Sequence, residues 1–311
     1  GHAQAALAPW WNLADPPEPV RLQRAVVRQF NHAFDAALAD LDALVVANPR
    51  LAEAWSWMAA IAMVQADYDR ARRACDALRP IASALTARSC VAAVDAATGR
   101  AGRAAQDLND ALSQAKSLPV PPKAEELVWV LTRLGEARER AGDDVAAEGA
   151  FLQALGLNLP DTYLRAAYAD HLLDRQRPRE VLTLLEGTAQ VDVLLLRLAE
   201  AAKAVRDPRA AAWSAELQDR MAAADARGDT SHRKEQARFA LMVQGDARRA
   251  LPLAMANFAE QKEPADARLL LQAAVAAGDA KAAAPALAWL GRTRCEGREL
   301  NALAARARAL K

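Results

Sequence analysis

Small side chains recur along this 311-residue chain at a nearly constant spacing, and no other feature of the sequence constrains the fold as strongly. The spacings lie between 30 and 43 residues, and most are 33 or 34. A repeat of this length predicts stacked pairs of α-helices, because each pair can bury its apolar face only against its neighbours. The recurring residues are Ala37, Ala71, Ala104, Ala147, Val181, Ala211, Ala250 and Ala283.

Composition agrees with a helical chain and excludes several functional classes. Alanine, the strongest helix former, makes up about a quarter of the residues, whereas aromatic residues make up only 5%. The 40 basic and 39 acidic residues are mixed along the chain and leave a net charge of +1, so no basic stripe predicts nucleic-acid binding. No apolar run approaches the roughly 18 residues of a transmembrane helix. We therefore expect neither a nucleic-acid partner nor a membrane span.

The second unit shows a more specific pattern over two predicted helices. Large and small apolar residues alternate there at helical spacing, in the order Trp55, Met58, Ala59 and Ala62, followed by Tyr68, Ala71, Cys75 and Leu78. This pattern resembles the tetratricopeptide repeat (TPR), and the same register extends loosely over about residues 20–290. The resemblance is to secreted bacterial TPR proteins of unknown ligand. It implies an all-α fold: a right-handed superhelical α-solenoid of about eight helix-turn-helix hairpins and a C-terminal capping helix.

Interruptions of the period divide the chain into segments. Residues 1–19 contain several Pro and Trp residues and are predicted to form an extended leader. Residues 20–116 hold hairpins 1 to 3, and a Pro-rich insert follows at 117–123. Residues 124–296 hold hairpins 4 to 8, and the amphipathic segment 297–311 is predicted to be the capping helix.

No pattern predicts a catalytic or metal site. None of the four histidines pairs with another at the i, i+4 spacing of helical metal sites, and Asp170 and His171 point in different directions on a helix. The sequence also lacks a phosphate-binding Gly-rich loop, a nucleophile elbow and a Cys-x-x-Cys motif. We therefore expect a non-enzyme without cofactors.

The cysteines bear on the cellular compartment. Cys75 and Cys90 fall on consecutive helices that pack directly in this architecture, so they form either a disulfide or two small buried contacts. A disulfide would favour an oxidising compartment, and Cys295 would remain a free thiol. Gly1 and His2 are either the end of a secretory cleavage site or a cloning remnant. We expect a periplasmic or secreted protein, with a cytoplasmic location as the alternative.

The resemblance implies that the first helix of each hairpin lines a concave groove for a peptide or a partner protein. Threading the repeat register assigns the following residues to that groove: Trp57, Trp129, Arg133, Glu136, Tyr163, Asp170, Arg197, Glu200 and Phe239. Trp, Tyr and Arg dominate binding hot spots. The alternative is that the rings fill space between helices while the charges form a solvated face. The carboxylate clamp of some TPR proteins is absent, because its positions carry Leu22, Val26, Trp57, Thr86 and Cys90.

These observations predict a non-enzymatic scaffold that binds a protein or peptide in the concave groove. One alternative is an architectural subunit of a bacterial envelope, secretion or polysaccharide-export assembly, which would use its convex or lateral surfaces. A second alternative is an accessory protein that stacks sugar or lipid groups on the aromatic side chains. The sequence does not specify an oligomeric state.

Overall fold

In the computed structural model, residues 5–117, 119–228 and 232–310 are described, and within these ranges the chain is helical and contains no strand. Seventeen α-helices of the described chain form eight antiparallel pairs and one terminal helix. The predicted all-α solenoid of eight hairpins with a capping helix is therefore confirmed. None of the described helices has the length and hydropathy required to cross a membrane.

Each hairpin consists of a first and a second helix. The first helices of hairpins 1 to 8 are Glu18–Phe30, Ala52–Val64, Ala84–Ala97, Ala124–Arg140, Thr162–Asp174, Asp192–Val205, Arg233–Arg238 and Pro264–Ala277. The second helices are Phe34–Ala47, Tyr68–Leu78, Ala101–Ala115, Asp144–Leu155, Pro178–Leu184, Ala210–Ala226, Ala247–Glu260 and Ala280–Thr293. The capping helix is Arg298–Arg308, and in hairpin 7 a π-helical segment, Phe239–Gln244, extends the first helix.

Turns within the hairpins share one backbone feature, because a residue with positive φ follows the first helix in all eight. In hairpins 2, 4, 7 and 8 an aspartate then caps the second helix. In hairpin 4, Gly142 has a φ of 84°, and the Asp143 carboxylate accepts a hydrogen bond of 3.0 Å from the amide of Ala146. Such a cap contributes about 1 kcal/mol. The same cap is present at Asp67, Asp246 and Asp279.

The recurring small residues lie at the contact between the two helices of each hairpin. Seven of the eight are completely buried, and each is the fourth residue of its second helix. The assignment of Ala211 to this set is wrong, because Ala211 is exposed and Trp213 is the fourth residue of its helix. Trp213 packs against the cores on both sides.

The stack turns back on itself, so that hairpins 7 and 8 contact hairpins 1 to 5. The amide of Lys262 donates a hydrogen bond of 2.7 Å to the carbonyl of Val64. The Glu296 carboxylate accepts a hydrogen bond from the amide of Ala101, the first residue of a helix in hairpin 3. We call this contact between hairpin 8 with its following loop and hairpins 2 and 3 the seam.

The leader differs from the predicted extended segment. Its described part contains a short 3-10 helix, Ala8–Trp10, and the first helix begins at Glu18, within the segment assigned to the leader. Arg24 joins this segment to the stack, since its guanidinium donates hydrogen bonds to the carbonyls of Trp11 and Leu13 and to the buried Asp40.

Candidate functional site

The first helices lie on the inner side of the stack, where helices of neighbouring hairpins contact each other directly. The inner face of the first helix of hairpin 4 carries Trp129, Arg133, Glu136 and Arg140 at successive turns. Residues three or four positions apart share one side of a helix. The predicted groove residues of hairpin 4 therefore lie together on the inner face.

An aromatic cluster forms between hairpins 4 and 5, and we define it as Trp129, Arg133, Glu136 and Tyr163. The guanidinium carbon of Arg133 lies 4.2 Å from the centroid of the Trp129 ring and 4.7 Å from that of Tyr163. Arg133 Nη1 also donates a hydrogen bond of 2.9 Å to Glu136. Glu136 accepts a second hydrogen bond, of 2.5 Å, from the Tyr163 hydroxyl. The cluster thus satisfies its charges internally.

Exposure within this cluster is uneven, and the difference matters for binding. The side chains of Arg133 and Glu136 are only 19% and 13% exposed, whereas the rings of Trp129 and Tyr163 remain 47% and 45% exposed. Burial opposes the charge of Arg133, but Glu136, Tyr163 and Glu263 together outweigh burial and raise the pKa of Arg133. The fixed cation holds two rings that still present apolar surface to solvent.

A cleft of about 820 Å³ adjoins Trp129 and lies between hairpin 3 and the Pro-rich insert. Apolar groups such as Leu85, Ala111 and Val120 contribute to its wall. Its rim is fixed by a hydrogen bond of 2.8 Å from the Thr86 hydroxyl to Glu126. The volume lies within the range of sites that hold a small ligand or a few side chains.

A second group of predicted residues forms an ion-pair network, which we define as Asp170, Arg197, Glu200 and Arg238. Arg197 lies 2.5 Å from Asp170, and Arg238 lies 2.7 Å from Asp170 and 2.5 Å from Glu200. Burial alone would raise the pKa of Asp170, but the charges of Arg197 and Arg238 hold it well below its usual range. These side chains use their charges to join hairpins 5, 6 and 7.

The remaining predicted groove residues lie elsewhere. Trp57 packs edge-on against Phe30, with 6.2 Å between ring centroids, outside the aromatic cluster. Phe239 is 1% exposed and packs in the core of hairpins 6 and 7, so its placement on the groove is corrected here. The residue before it, Arg238, reaches the inner side instead, because one residue turns a helix by about 100°.

The two cysteines assigned to a possible disulfide are bonded. The Sγ atoms of Cys75 and Cys90 lie 1.97 Å apart, and the bond joins hairpins 2 and 3 across 15 residues. Cys295 is a buried free thiol. Within the described ranges, no group of three or more His, Cys, Asp or Glu side chains is arranged to hold a metal ion.

Several solved structures resemble the chain, whereas no protein-family model and no curated protein matches its sequence. A structure described as PilF of Pseudomonas aeruginosa is 19% identical over 65% of this chain and 90% of its own, with a TM-score of 0.46. A Rap protein complexed with competence and sporulation factor is 16% identical over 93% of this chain and 76% of its own, with a TM-score of 0.48.

A tetratricopeptide repeat protein from Parabacteroides merdae is 14% identical over 94% of this chain and 98% of its own, with a TM-score of 0.40. At identities this low, none of the three likenesses shows what the present chain binds. The fold itself is defined by the chain's own helix pairs and the small residues buried within them. The protein is an all-α solenoid of helical hairpins, the architecture that the resemblance of its sequence to the tetratricopeptide repeat implies.

Proposed function

We propose that the protein is a non-enzymatic interaction scaffold that binds a peptide or protein partner at the aromatic cluster. One observation supports this proposal above all: two aromatic rings pack against the Arg133 guanidinium and yet remain almost half exposed. Rigid rings lose little conformational freedom on binding, and Trp, Tyr and Arg are the residues most enriched in hot spots. The cleft beside Trp129 would receive further apolar side chains of the partner.

The ion-pair network narrows the binding surface to the aromatic cluster. Its carboxylates are already paired with arginines of the same chain, so a ligand would have to break those pairs before binding there. Breaking partly buried pairs is costly, because each freed charge is left without a partner. The partner therefore binds near hairpins 3 to 5, where the inner surface is accessible without such rearrangement.

A second candidate function is an architectural role that uses the outer surface. The outer helix of hairpin 4 presents Val145 and Leu152, which are 85% and 51% exposed and lie on one side of the helix. Between them Gly149 leaves open space, since an added Cβ would meet no atom within 4 Å. This apolar stripe would suit a neighbouring subunit of an assembly.

Photo-crosslinking distinguishes the two candidates. A photoreactive phenylalanine derivative at position 163 should give a discrete adduct with the partner in the native cell, whereas the same group at position 145 should not. Adding Trp129→Ala should remove most of the adduct formed from position 163, because a hot-spot tryptophan contributes about 2 kcal/mol, or roughly 30-fold in affinity. An adduct from position 145 alone would contradict groove binding and support the architectural role.

We further propose that the protein is exported to an oxidising compartment. The Cys75–Cys90 disulfide supports this proposal, because reducing compartments rarely maintain a structural disulfide. Thiol alkylation immediately after lysis of the native cell should label Cys295 only, and only after denaturation, because that thiol is buried. Labelling of three cysteines per chain would place the protein in a reducing compartment.

A further inference from the structure

A separate cleft of about 380 Å³ lies at the seam, and no residue of the aromatic cluster lines it. It is bordered by the second helix of hairpin 2, the turn of hairpin 3 and the end of hairpin 8. Four arginines line it: Arg72, Arg100, Arg292 and Arg294. Its volume is typical of a site for a small ligand.

The cleft concentrates positive charge in a chain that is almost neutral overall. The net charge of the whole protein is +1, whereas the one acidic side chain lining the cleft is the exposed Asp69. Arginines brought together in this way repel each other unless an anion lies between them. A surface that only needed to close the seam would use pairs of opposite charge, as the ion-pair network does.

Two of the arginines are held in position by a buried carboxylate. Asp95 is 4% exposed, and its Oδ1 atom is bonded both to Arg72 and, at 2.7 Å, to Arg100. One carboxylate thus orients two guanidinium groups and neutralises only half of their charge. The arrangement leaves donors of both groups available to a ligand, since each guanidinium carries five N–H groups.

The other two arginines come from hairpin 8 and its end. Arg292 and Arg294 are exposed, and within the described part of the chain neither forms an ion pair. Arg294 is fixed by its backbone, because it ends the helix in the left-handed conformation and its carbonyl contacts Gly99 of hairpin 3. In the cleft, two unpaired arginines from hairpin 8 and its end therefore lie opposite the two arginines that Asp95 orients.

We propose that this arginine cleft binds a multiply charged oxyanion of the size of pyrophosphate, and that the anion bridges hairpin 8 to hairpins 2 and 3. Guanidinium groups bind phosphate and carboxylate oxygens in paired, charge-assisted hydrogen bonds. The two sides of the seam both contribute cations, so the bound anion also holds the stack closed. This site is distinct from the partner surface at the aromatic cluster, and either can fail without the other.

Isothermal titration of the full-length protein with pyrophosphate tests the proposal. We expect one saturable site, and Arg292→Ala/Arg294→Ala should weaken it at least 30-fold. The matched control is Arg306→Ala/Arg308→Ala, which removes the same charge from exposed positions of the capping helix and should leave the affinity unchanged. Because all four positions are exposed, both variants should retain the wild-type far-ultraviolet circular dichroism.

A parallel titration with citrate distinguishes the sources of the oxyanion. Binding of pyrophosphate alone assigns the cleft to phosphoryl groups, and binding of both assigns it to oxyanions in general. Pyrophosphate should also raise the Tm of the wild type and not that of Arg292→Ala/Arg294→Ala. Absence of saturable heat with either anion, or equal affinity in wild type and Arg292→Ala/Arg294→Ala, would overturn the proposal.

Discussion

The aromatic cluster and the ion-pair network lie on the same kind of helix, but only the aromatic cluster leaves the inner surface accessible. Both start from charged residues on the inner side of first helices. In the aromatic cluster, Arg133 finds its carboxylate three residues away on the same helix, so the neighbouring rings stay accessible. In the network, Asp170 is met by Arg238 from 68 residues further along the chain, and the surface closes.

This comparison shows what turns an inner surface into a contact within the chain. Local pairing satisfies charge without bringing in another hairpin, whereas pairing over a long sequence distance requires the stack to curve until the partners meet. The sequence distance between a carboxylate and the arginine that pairs with it therefore decides whether a first helix presents a surface to other molecules. The predictions below test this distinction, beginning with the largest effect.

Loss of the disulfide between hairpins 2 and 3 should have the largest effect on stability. Closing a loop of 15 residues contributes about 3 kcal/mol in the chain-entropy model. Cys75→Ala/Cys90→Ala should therefore unfold at a clearly lower guanidinium concentration than the wild type. Dithiothreitol should bring the unfolding midpoint of the wild type close to that of this variant. As controls, Cys295→Ala should respond to dithiothreitol as the wild type does, and Cys75→Ala/Cys90→Ala/Cys295→Ala should respond as Cys75→Ala/Cys90→Ala does. If dithiothreitol left the guanidinium unfolding midpoint of the wild type unchanged, the prediction would be contradicted.

Neutralising the network should cost less, because its members are partly solvated. Asp170→Asn leaves Arg197 and Arg238 without their shared carboxylate, and we expect a loss of about 2 kcal/mol in unfolding free energy, below the range for fully buried pairs. The control is Asp192→Asn, whose carboxylate is 62% exposed and pairs with Arg220, and it should change stability by no more than about 0.5 kcal/mol. Equal losses of unfolding free energy in Asp170→Asn and Asp192→Asn would contradict this prediction.

The pH dependence of this difference has a defined sign. The folded-state pKa of Asp170 is lowered, so its contribution is complete above the unfolded-state pKa of about 3.9 and disappears as the pH falls through the folded value. The difference between wild type and Asp170→Asn should stay constant from about pH 5 to pH 8 and shrink below about pH 4. Thermal unfolding of both proteins at each pH measures this stability difference, and a difference that grows as the pH falls would contradict the prediction.

Adding one methyl group at Gly99 should weaken the seam, whereas adding one at Gly142 should not. Gly99 and Gly142 have φ values of 77° and 84°, but an added Cβ at Gly99 would lie 2.7 Å from the carbonyl oxygen of Arg294, whereas Gly142 faces open space. Both substitutions to alanine strain the backbone by about 1 kcal/mol. Gly99→Ala should lose about 1 kcal/mol more, and it alone should speed hydrogen exchange at the amide of Ala101, the donor to Glu296.

The smallest effect is expected at the surface assigned to binding. Trp129→Ala removes a ring that is 47% exposed, so the unfolding free energy should fall by no more than about 1 kcal/mol. The same variant should lose partner crosslinking from position 163. Chemical denaturation measures the first quantity, and a loss above about 2 kcal/mol would show that the ring stabilises the fold.

Much of the fold could be predicted because the information is local. Seven of the eight second helices repeat one small residue against the partner helix, and the aspartate caps of hairpins 2, 4, 7 and 8 follow a turn residue with positive φ. The prediction is wrong in hairpin 6, where Trp213 takes the position of a small residue and the repeat pattern selects Ala211, two residues earlier. A bulky residue at a repeat position gives no signal to a pattern based on size.

The candidate site was predictable where helical spacing or the repeat register fixes the positions of its residues. Trp129, Arg133 and Glu136 follow from helical spacing, and Tyr163 follows from the repeat. In hairpin 7 the repeat register predicts Phe239 on the inner side, one residue away from Arg238, which the structure places there. Neither the closure of the stack nor the arginine cleft has a local signature, since both join residues of hairpin 8 to residues near the start of the chain.

The carboxylate of Glu296 caps a helix that begins 195 residues earlier. During synthesis, the early hairpins can fold from nearby contacts, but this helix end must wait until Glu296 has been added to the chain. Closure is therefore the step with the highest contact order, and it should be the slowest event in folding. A nascent or truncated chain would expose the inner side of its first hairpins to other molecules until hairpin 8 arrives.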